Sequence, residues 1–172
     1  MTIRPITPAD VPAVVGLVRE LAEYERAAAE VRLTEAQLAT ALFGRAPALF
    51  GDVAETGGGR TAEAGAGGQV VGVALWFLNF STWRGTHGIH LEDLYVQPAA
   101  RGTGLGRELL RTLAARCVER GYDRLEWSVL DWNTPSIDFY RAAGAVGMDG
   151  WTTFRLTDTA LGTFAADCRE LS

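Results

Sequence analysis

"LYVQPAARGTGLGRELLRTLAARC", residues 94–117, decides the fold. An apolar run stops at Pro98, and Gly102, Gly104 and Gly106 alternate through a loop that opens into a helix. Leu105, Leu109, Leu113 and Cys117 then recur at helical spacing, with Arg107, Arg111, Arg116 and Arg120 mostly off that stripe, so one face is built for a core and the rest for water. The helix runs from about Gly104 to Gly121, and "RLEWSVL" at 124–130 follows as a strand. Strand, helix, strand is a crossover unit, and it calls for a sheet with helical cover.

The chain on the N-terminal side supplies the rest of that sheet. "TIRP" reads as a short strand leading into "TPADVPAVVGLVRELAEYE", where Thr7 can cap, Pro8 fits the first helical position and Asp10 stands where a capping-box carboxylate belongs. Val11, Val14, Val18 and Leu21 make the apolar stripe of this helix. "LTEAQLATALF" repeats the device with Thr34 and Gln37. Residues 48–55 and 70–80 are rich in β-branched and aromatic residues and read as strands, separated at 56–69 by a Gly-rich stretch too poor in large side chains to pack, expected to be a mobile loop. "GIHLEDLYVQP" is the strand that Pro98 ends.

Beyond the crossover, "DWNTPSIDFYRAAGA" gives a helix begun at Asn133 or Thr134, with Pro135 at its first position and Gly144 at its end. A strand at "GWTTFRL", a short helix from about Thr157 and an extra strand near Val146 complete the reading. The order is β-α-α-β-β-β-α-β-α-β: an α/β chain with a mixed sheet and helices on both faces, in one domain spanning 1–172.

Composition narrows the function classes. The 172 residues are 48% hydrophobic and 22% charged, as expected of a soluble globule, and a net charge of -5 disfavours nucleic acid as a partner. No run approaches a membrane span, and "MTIRPITPAD" lacks the pattern of a secretory signal. Two cysteines, Cys117 and Cys168, are too few for a disulfide framework and read as reduced thiols, which points to the cytoplasm.

The glycine loop has two readings in its own right, a phosphate cradle at a helix N-terminus or a tight turn that uses glycine for backbone freedom. A dinucleotide fingerprint is disfavoured although Glu126 lies near the ribose-binding spacing, because "QPAAR" separates the strand from the first glycine. A nucleoside triphosphate loop is disfavoured because Arg107 and Glu108 stand where Lys and Ser or Thr belong. "HLE" at 90–92 lacks the Pro-Cys-x-x-Cys partner of a zinc deaminase, and His87 and His90 without a cysteine pair do not make a metal site, so no metal is expected. No serine sits in a nucleophile elbow.

"QPAARGTGLGRELL" resembles the acetyl-CoA signature Q/R-x-x-G-x-G/A of the GNAT N-acetyltransferase superfamily, matched at Arg101, Gly102, Gly104 and Gly106. "IRPITPADV", "LVRELAEYE", "LTEAQL", "LEDLYV" and "WNTPSIDFYRAAGA" are similar to the spermidine/spermine (diamine) N-acetyltransferase branch over nearly the whole chain. The resemblance implies a GNAT fold, acetyl-CoA as co-substrate, a homodimer, and direct acetyl transfer to a primary amine of a small molecule, with a diamine or polyamine first and thialysine, another amino acid, an aminoglycoside or a protein amine as alternatives. A noncatalytic acetyl-CoA sensor is the rival of a different class.

The same resemblance distributes roles. Coenzyme would lie on Arg101, Gly102, Thr103, Gly104, Leu105 and Gly106, along the strand at Leu94, Tyr95 and Val96, and against Asn133 and Ser136. Glu92 would be the general base, through a water, and Tyr140 the acid for the leaving thiolate; their bland alternatives are a solvent-facing carboxylate and a core aromatic. Glu25, Asp93, Asp149, Trp83 and Trp151 would bind the amine, and a cation over an indole face is favourable. The acidic residue that polyamine recognition calls for before Trp83 is replaced by Ser81 and Thr82, and Arg84 follows, so a shorter or less charged amine is also compatible.

Overall fold

The computed structural model describes residues 1–57 and 68–167. The stretch read as a Gly-rich loop falls at its centre, and Cys168 altogether, outside the described residues. The chain divides into two compact units, Met1–Leu130 and Asp131–Ser172, and each is described by itself.

The first unit runs β1 (Thr2–Pro5), α1 (Val11–Tyr24), α2 (Glu35–Phe43), β2 (Phe50–Thr56), β3 (Gln69–Ser81), β4 (Thr86–Val96), α3 (Leu105–Arg120) and β5 (Leu125–Glu126). Its strands make one sheet in the order β1-β2-β3-β4-β5, antiparallel except for the β4–β5 pair. The single parallel pair is the one joined through α3, as a crossover requires.

Helices start where local chemistry satisfies their first donors. Thr34 and Gln37 form a reciprocal capping box at α2. Before α1, Pro8–Asp10 is a turn of 3-10 helix in which Asp10 accepts from the Thr7 N–H at 2.8 Å, so the α-helix proper begins three residues later than Pro8. Asp10 also takes a two-pronged ion pair from Arg4 at 2.7 and 2.8 Å, which holds its carboxyl far below the usual carboxylate range and ties β1 to α1.

The two faces of the sheet differ. Val53, Val73, Leu75 and Tyr95 face Val14, Val15, Leu17, Leu38 and Leu42 of α1 and α2 in one buried cluster. The opposite face meets α3, whose Leu109 and Leu113 are fully buried, each such side chain contributing about 1.5–3 kcal/mol. There Arg116 crosses to Asp52 of β2, which also accepts from the Trp76 indole at 3.0 Å, while the guanidinium lies 4.7 Å over the Trp76 ring.

The second unit holds α4 (Thr134–Ala142) and α5 (Asp158–Asp167). Three strand expectations need correction. The strand expected over 124–130 pairs only at Leu125 and Glu126, and neither 150–156 nor the neighbourhood of Val146 forms one. Strand propensity is a fit to a pleated, half-buried surface, and residues 149–156 are exposed throughout, so their aromatic and β-branched content finds no such surface.

Candidate active site

Between β4 and α3 the chain makes a compact, well-fixed loop. Pro98–Ala100 is a 3-10 turn, and Thr103 Oγ1 donates to the Ala100 carbonyl at 2.6 Å. Arg101 folds back: its Nε donates to the Val96 carbonyl at 2.9 Å, and its guanidinium lies 5.2 Å from the Tyr24 ring centre and 5.5 Å from that of Tyr95. Its side chain therefore holds the loop to the end of β4 and to α1.

Gly102 and Gly104 have φ of 76° and 89°, the left-handed region where a side chain is strained. A Cβ at either would meet no atom within 4 Å, so the space in front of the loop is open. Gly104 is the N-cap of α3 and has no side chain to fill the cap, unlike Thr34 at α2 and Asn133 at α4. The helical ladder begins with the Glu108 N–H on the Gly104 carbonyl at 3.0 Å, leaving the N–H groups of Leu105, Gly106 and Arg107 without an intrahelical acceptor. An uncapped, open helix start with a positive dipole end fits a pyrophosphate. Leu105 itself is buried, so its contribution is backbone.

The strand before the loop is open along one edge. β4 aligns with β5 only at Ile89–Leu125 and His90–Glu126, and beyond that the β4 backbone through Leu94, Tyr95 and Val96 has no β5 partner. The Tyr95 and Val96 side chains are buried, so this edge offers peptide groups that an extended amide-bearing arm can pair with.

Glu92 sits in a β-bulge. Leu75 pairs with Asp93 and Trp76 with Leu91, leaving Glu92 unmatched. Strict alternation would put Leu91 and Asp93 on one face. The extra residue instead sends Leu91 to the α3 side and turns Asp93 to the α1 side, across from Leu75. Burial raises the Asp93 carboxyl to about 6, and the like charges of Glu92 and Glu25 add to it. Glu25, at the C-terminal end of α1, is itself raised by burial. The Glu92 side chain remains 56% exposed, with Oε2 4.0 Å from His90 Nε2.

Thus Glu25 and Glu92 lie near enough to Asp93 for their charges to act on its carboxyl. Trp83 does not join them within one chain: it lies 89% exposed in the β3–β4 turn, seven residues of β4 from Asp93, on the order of 20 Å. Sequence reasoning also missed the raised pKa of Asp93, since the bulge that turns it to the α1 side leaves no trace in "HLEDLYV" beyond two adjacent acids.

In the second unit, Asn133 is 4% exposed and its Oδ1 caps α4 by accepting from the Ser136 N–H at 3.3 Å. Tyr140 is half-buried on α4, its ring 5.2 Å from that of Phe139. Asp149 and Trp151 are exposed, beyond α4.

Residues 18–145 match the model of the acetyltransferase (GNAT) family. The chain belongs to that family. This GNAT acetyltransferase is 36% identical to the thialysine N-epsilon-acetyltransferase of Bos taurus over 162 residues, covering 92% of this chain and 94% of that protein. It is 28% identical to an L-ornithine N5-acetyltransferase of Arabidopsis thaliana, covering 92% and 85%. Among solved structures, an integron cassette protein from the mobile metagenome of V. cholerae shares the fold, with a TM-score of 0.74, 23% identity and coverage of 95% and 96%. The GNAT family uses acetyl-CoA, and the uncapped start of α3 fits its pyrophosphate. The protein is an N-acetyltransferase. Among the described residues no helix is long and apolar enough to cross a membrane.

Proposed function

We propose that this enzyme moves the acetyl group of acetyl-CoA directly onto a terminal primary amine of a small polar molecule, of the size of thialysine or a short diamine. The observation that carries this is the bulge at Glu92, which gathers Glu25, Glu92 and Asp93 at the unpaired edge of β4. Three carboxyl groups attract an ammonium, and the partly buried Asp93, titrating near 6, is matched to removing a proton near neutral pH. The amine nitrogen then attacks the thioester carbonyl; the C–N bond forms and the C–S bond breaks, and of the two protons the ammonium gives up, one passes through the carboxylates to solvent and the other replaces the proton that Tyr140 gives to the departing sulfur. Free N–H groups along β4 would steady the oxyanion.

In this reading the coenzyme supplies the activated acetyl group and the chain supplies the rest. Gly102, Thr103, Gly104, Leu105 and Gly106 hold pyrophosphate by backbone, Arg101 braces the loop, Leu94, Tyr95 and Val96 present the edge, and Asn133 with Ser136 adds a contact through the start of α4. Glu92 relays the amine proton through water to Asp93, and Tyr140 protonates the departing thiolate. Asp149, Trp151 and Trp83 act on the acceptor or, as exposed aromatics and acid, at a homodimer contact. The buried free thiol of Cys117 suits a cytoplasmic setting.

An acetyl-CoA-consumption screen over thialysine, lysine, ornithine, putrescine, spermidine and an aminoglycoside tests the reading. Turnover with at least one short amine is expected; a flat panel alongside measurable acetyl-CoA binding overturns catalysis in favour of a sensor.

A further inference from the structure

The face of the sheet that carries Asp93 continues into a second polar group. Leu75, Phe77 and Asn79 alternate on one face of β3, and their partners on β4 are Asp93, His90 and Gly88. Glu126 of β5 stands beside His90 on that same face. His90 stacks on Phe77 with ring centres 4.9 Å apart, making a flat floor between Asp93 and the Asn79–Gly88 row.

At that row Gly88 is required by space, since a Cβ there would stand 2.6 Å from Arg124 Cγ and 2.6 Å from Asn79 Oδ1. The missing side chain lets Arg124 lie over β4 towards Asn79, while Glu126 stands next to it on β5. Asn79 Nδ2 donates to Glu126 Oε1, and Arg124 Nε lies 3.4 Å from Glu126 Oε2. The cluster does not satisfy itself: among the described residues, Asn79 Oδ1 and Arg124 Nε are buried with no hydrogen-bond partner, the latter within ion-pair reach of Glu126 but outside hydrogen-bond geometry. The Arg124 and Glu126 side chains are 39% and 43% exposed, so a cation and an anion stay within reach of solvent, side by side.

We propose that Arg124 and Glu126, positioned by Asn79 over Gly88, form a second acceptor subsite that reads the head of an α-amino acid, its carboxylate on Arg124 and its ammonium on Glu126. The proposal rests on the transfer reading above. Two residues of β3 separate the Leu75–Asp93 pair from the Phe77–His90 row next to Glu126, roughly 7 Å. That is about the span of an extended aliphatic chain of four or five bonds, placing a terminal amine at Asp93 when the α-carbon lies near Glu126. A diamine of the same length can set its second ammonium on Glu126 but offers the Arg124 guanidinium no anion. An amino acid meets opposite charge at both of its ionised groups.

Steady-state kinetics on matched pairs test it: lysine against cadaverine, and ornithine against putrescine, which differ only by the α-carboxylate. The wild-type enzyme is expected to prefer the amino acid in at least one pair. Arg124→Gln should lower the amino-acid to diamine ratio of kcat/KM at least tenfold, mainly through KM of the amino acid, with Arg124→Lys restoring part of it. A melting curve confirms that Arg124→Gln is folded, and Glu126→Gln, which removes an ammonium partner common to both substrates, should raise KM for both without lowering the ratio. An unchanged ratio in Arg124→Gln, or a ratio that falls as far in Glu126→Gln, overturns the subsite, whatever happens to the absolute rates. A wild-type enzyme that acetylates both diamines and neither amino acid also overturns it, while leaving acetyl transfer standing. A wild-type enzyme that acetylates no amine overturns the transfer reading itself, and the subsite with it.

Discussion

Asp93 stands directly across from Leu75, yet the next aligned pair along the two strands is Trp76 with Leu91, so the bulge at Glu92 is what turns Asp93 onto the α1 side of the sheet. Its carboxyl titrates near 6 through burial, with Glu92 and Glu25 as like-charged neighbours. The acid limb of kcat/KM should therefore lie near pH 6. Like charges raise a carboxyl pKa, so Glu25→Gln should move that limb to lower pH. A pH–rate profile checks the sign, and a limb that stays in place or moves up removes Asp93 from the proton path.

The same tuning costs stability. The folded pKa of Asp93 lies above its ordinary carboxylate value of 3.8, so the folded state binds this proton more tightly than the unfolded chain. Any stability this group confers is present below pH 4 and is lost as pH rises through about 6. Asp93→Asn should then raise stability at pH 8 by about 1–2 kcal/mol once solvent access to the carboxyl is allowed for, read as a higher Tm, while sharply lowering turnover. At pH 3.5 the gain should vanish. Equal gains at both values would point to packing instead of charge.

Period and capping make much of this fold legible without coordinates. The stripes Val11–Val14–Val18–Leu21 and Leu105–Leu109–Leu113–Cys117 mark which helix faces are buried, and Thr34 with Gln37 marks a helix start. The glycine loop stands out in the sequence because Gly102 and Gly104 take a backbone conformation that few other residues adopt. What alternation hides is register. Glu92 and Asp93 look equivalent in "HLEDLYV", and a one-residue bulge separates an exposed acid from a tuned one. Likewise Asn79 is far in sequence from Arg124 and Glu126, and the three meet because β3, β4 and β5 are neighbours and Gly88 leaves room for the arginine. The aromatic stretch 150–156 misleads in the opposite way, since strand-like composition does not supply a neighbouring strand.

Gly104 gives a test of the coenzyme cradle that spares the fold. At φ of 89° a valine would be strained whatever its contacts, so loss of binding would be ambiguous. Asparagine tolerates left-handed backbone and would project a side chain into the open space in front of α3. Gly104→Asn should keep Tm within a few degrees and weaken acetyl-CoA binding at least tenfold by calorimetry. Unchanged affinity would take the pyrophosphate away from this loop.

Arg116 and Asp52 bind α3 to the sheet by two hydrogen bonds of 2.8 and 2.9 Å, with Asp52 1% exposed. Arg116→Ala leaves that carboxylate with the Trp76 indole N–H as its remaining side-chain donor and should destabilise the protein by about 3–5 kcal/mol. The double replacement Asp52→Leu with Arg116→Met removes the stranded charge and should recover most of the loss. Denaturant midpoints measure both; a double variant no more stable than Arg116→Ala would show that packing against Trp76, not charge pairing, dominates.

Tyr140 separates acid catalysis from core packing. Its ring is half-buried beside Phe139, so removing the hydroxyl alone leaves the aromatic contact in place. If the phenol donates a proton to the departing thiolate, Tyr140→Phe should lower kcat by about 10²-fold or more with acetyl-CoA affinity and Tm little changed. The loss should shrink for an acetyl donor with a more acidic thiol, because a better leaving group needs less protonation. A Tyr140→Phe enzyme that keeps wild-type turnover with acetyl-CoA, or one that loses activity equally for both donors, assigns the tyrosine to packing and returns the thiolate's proton to water.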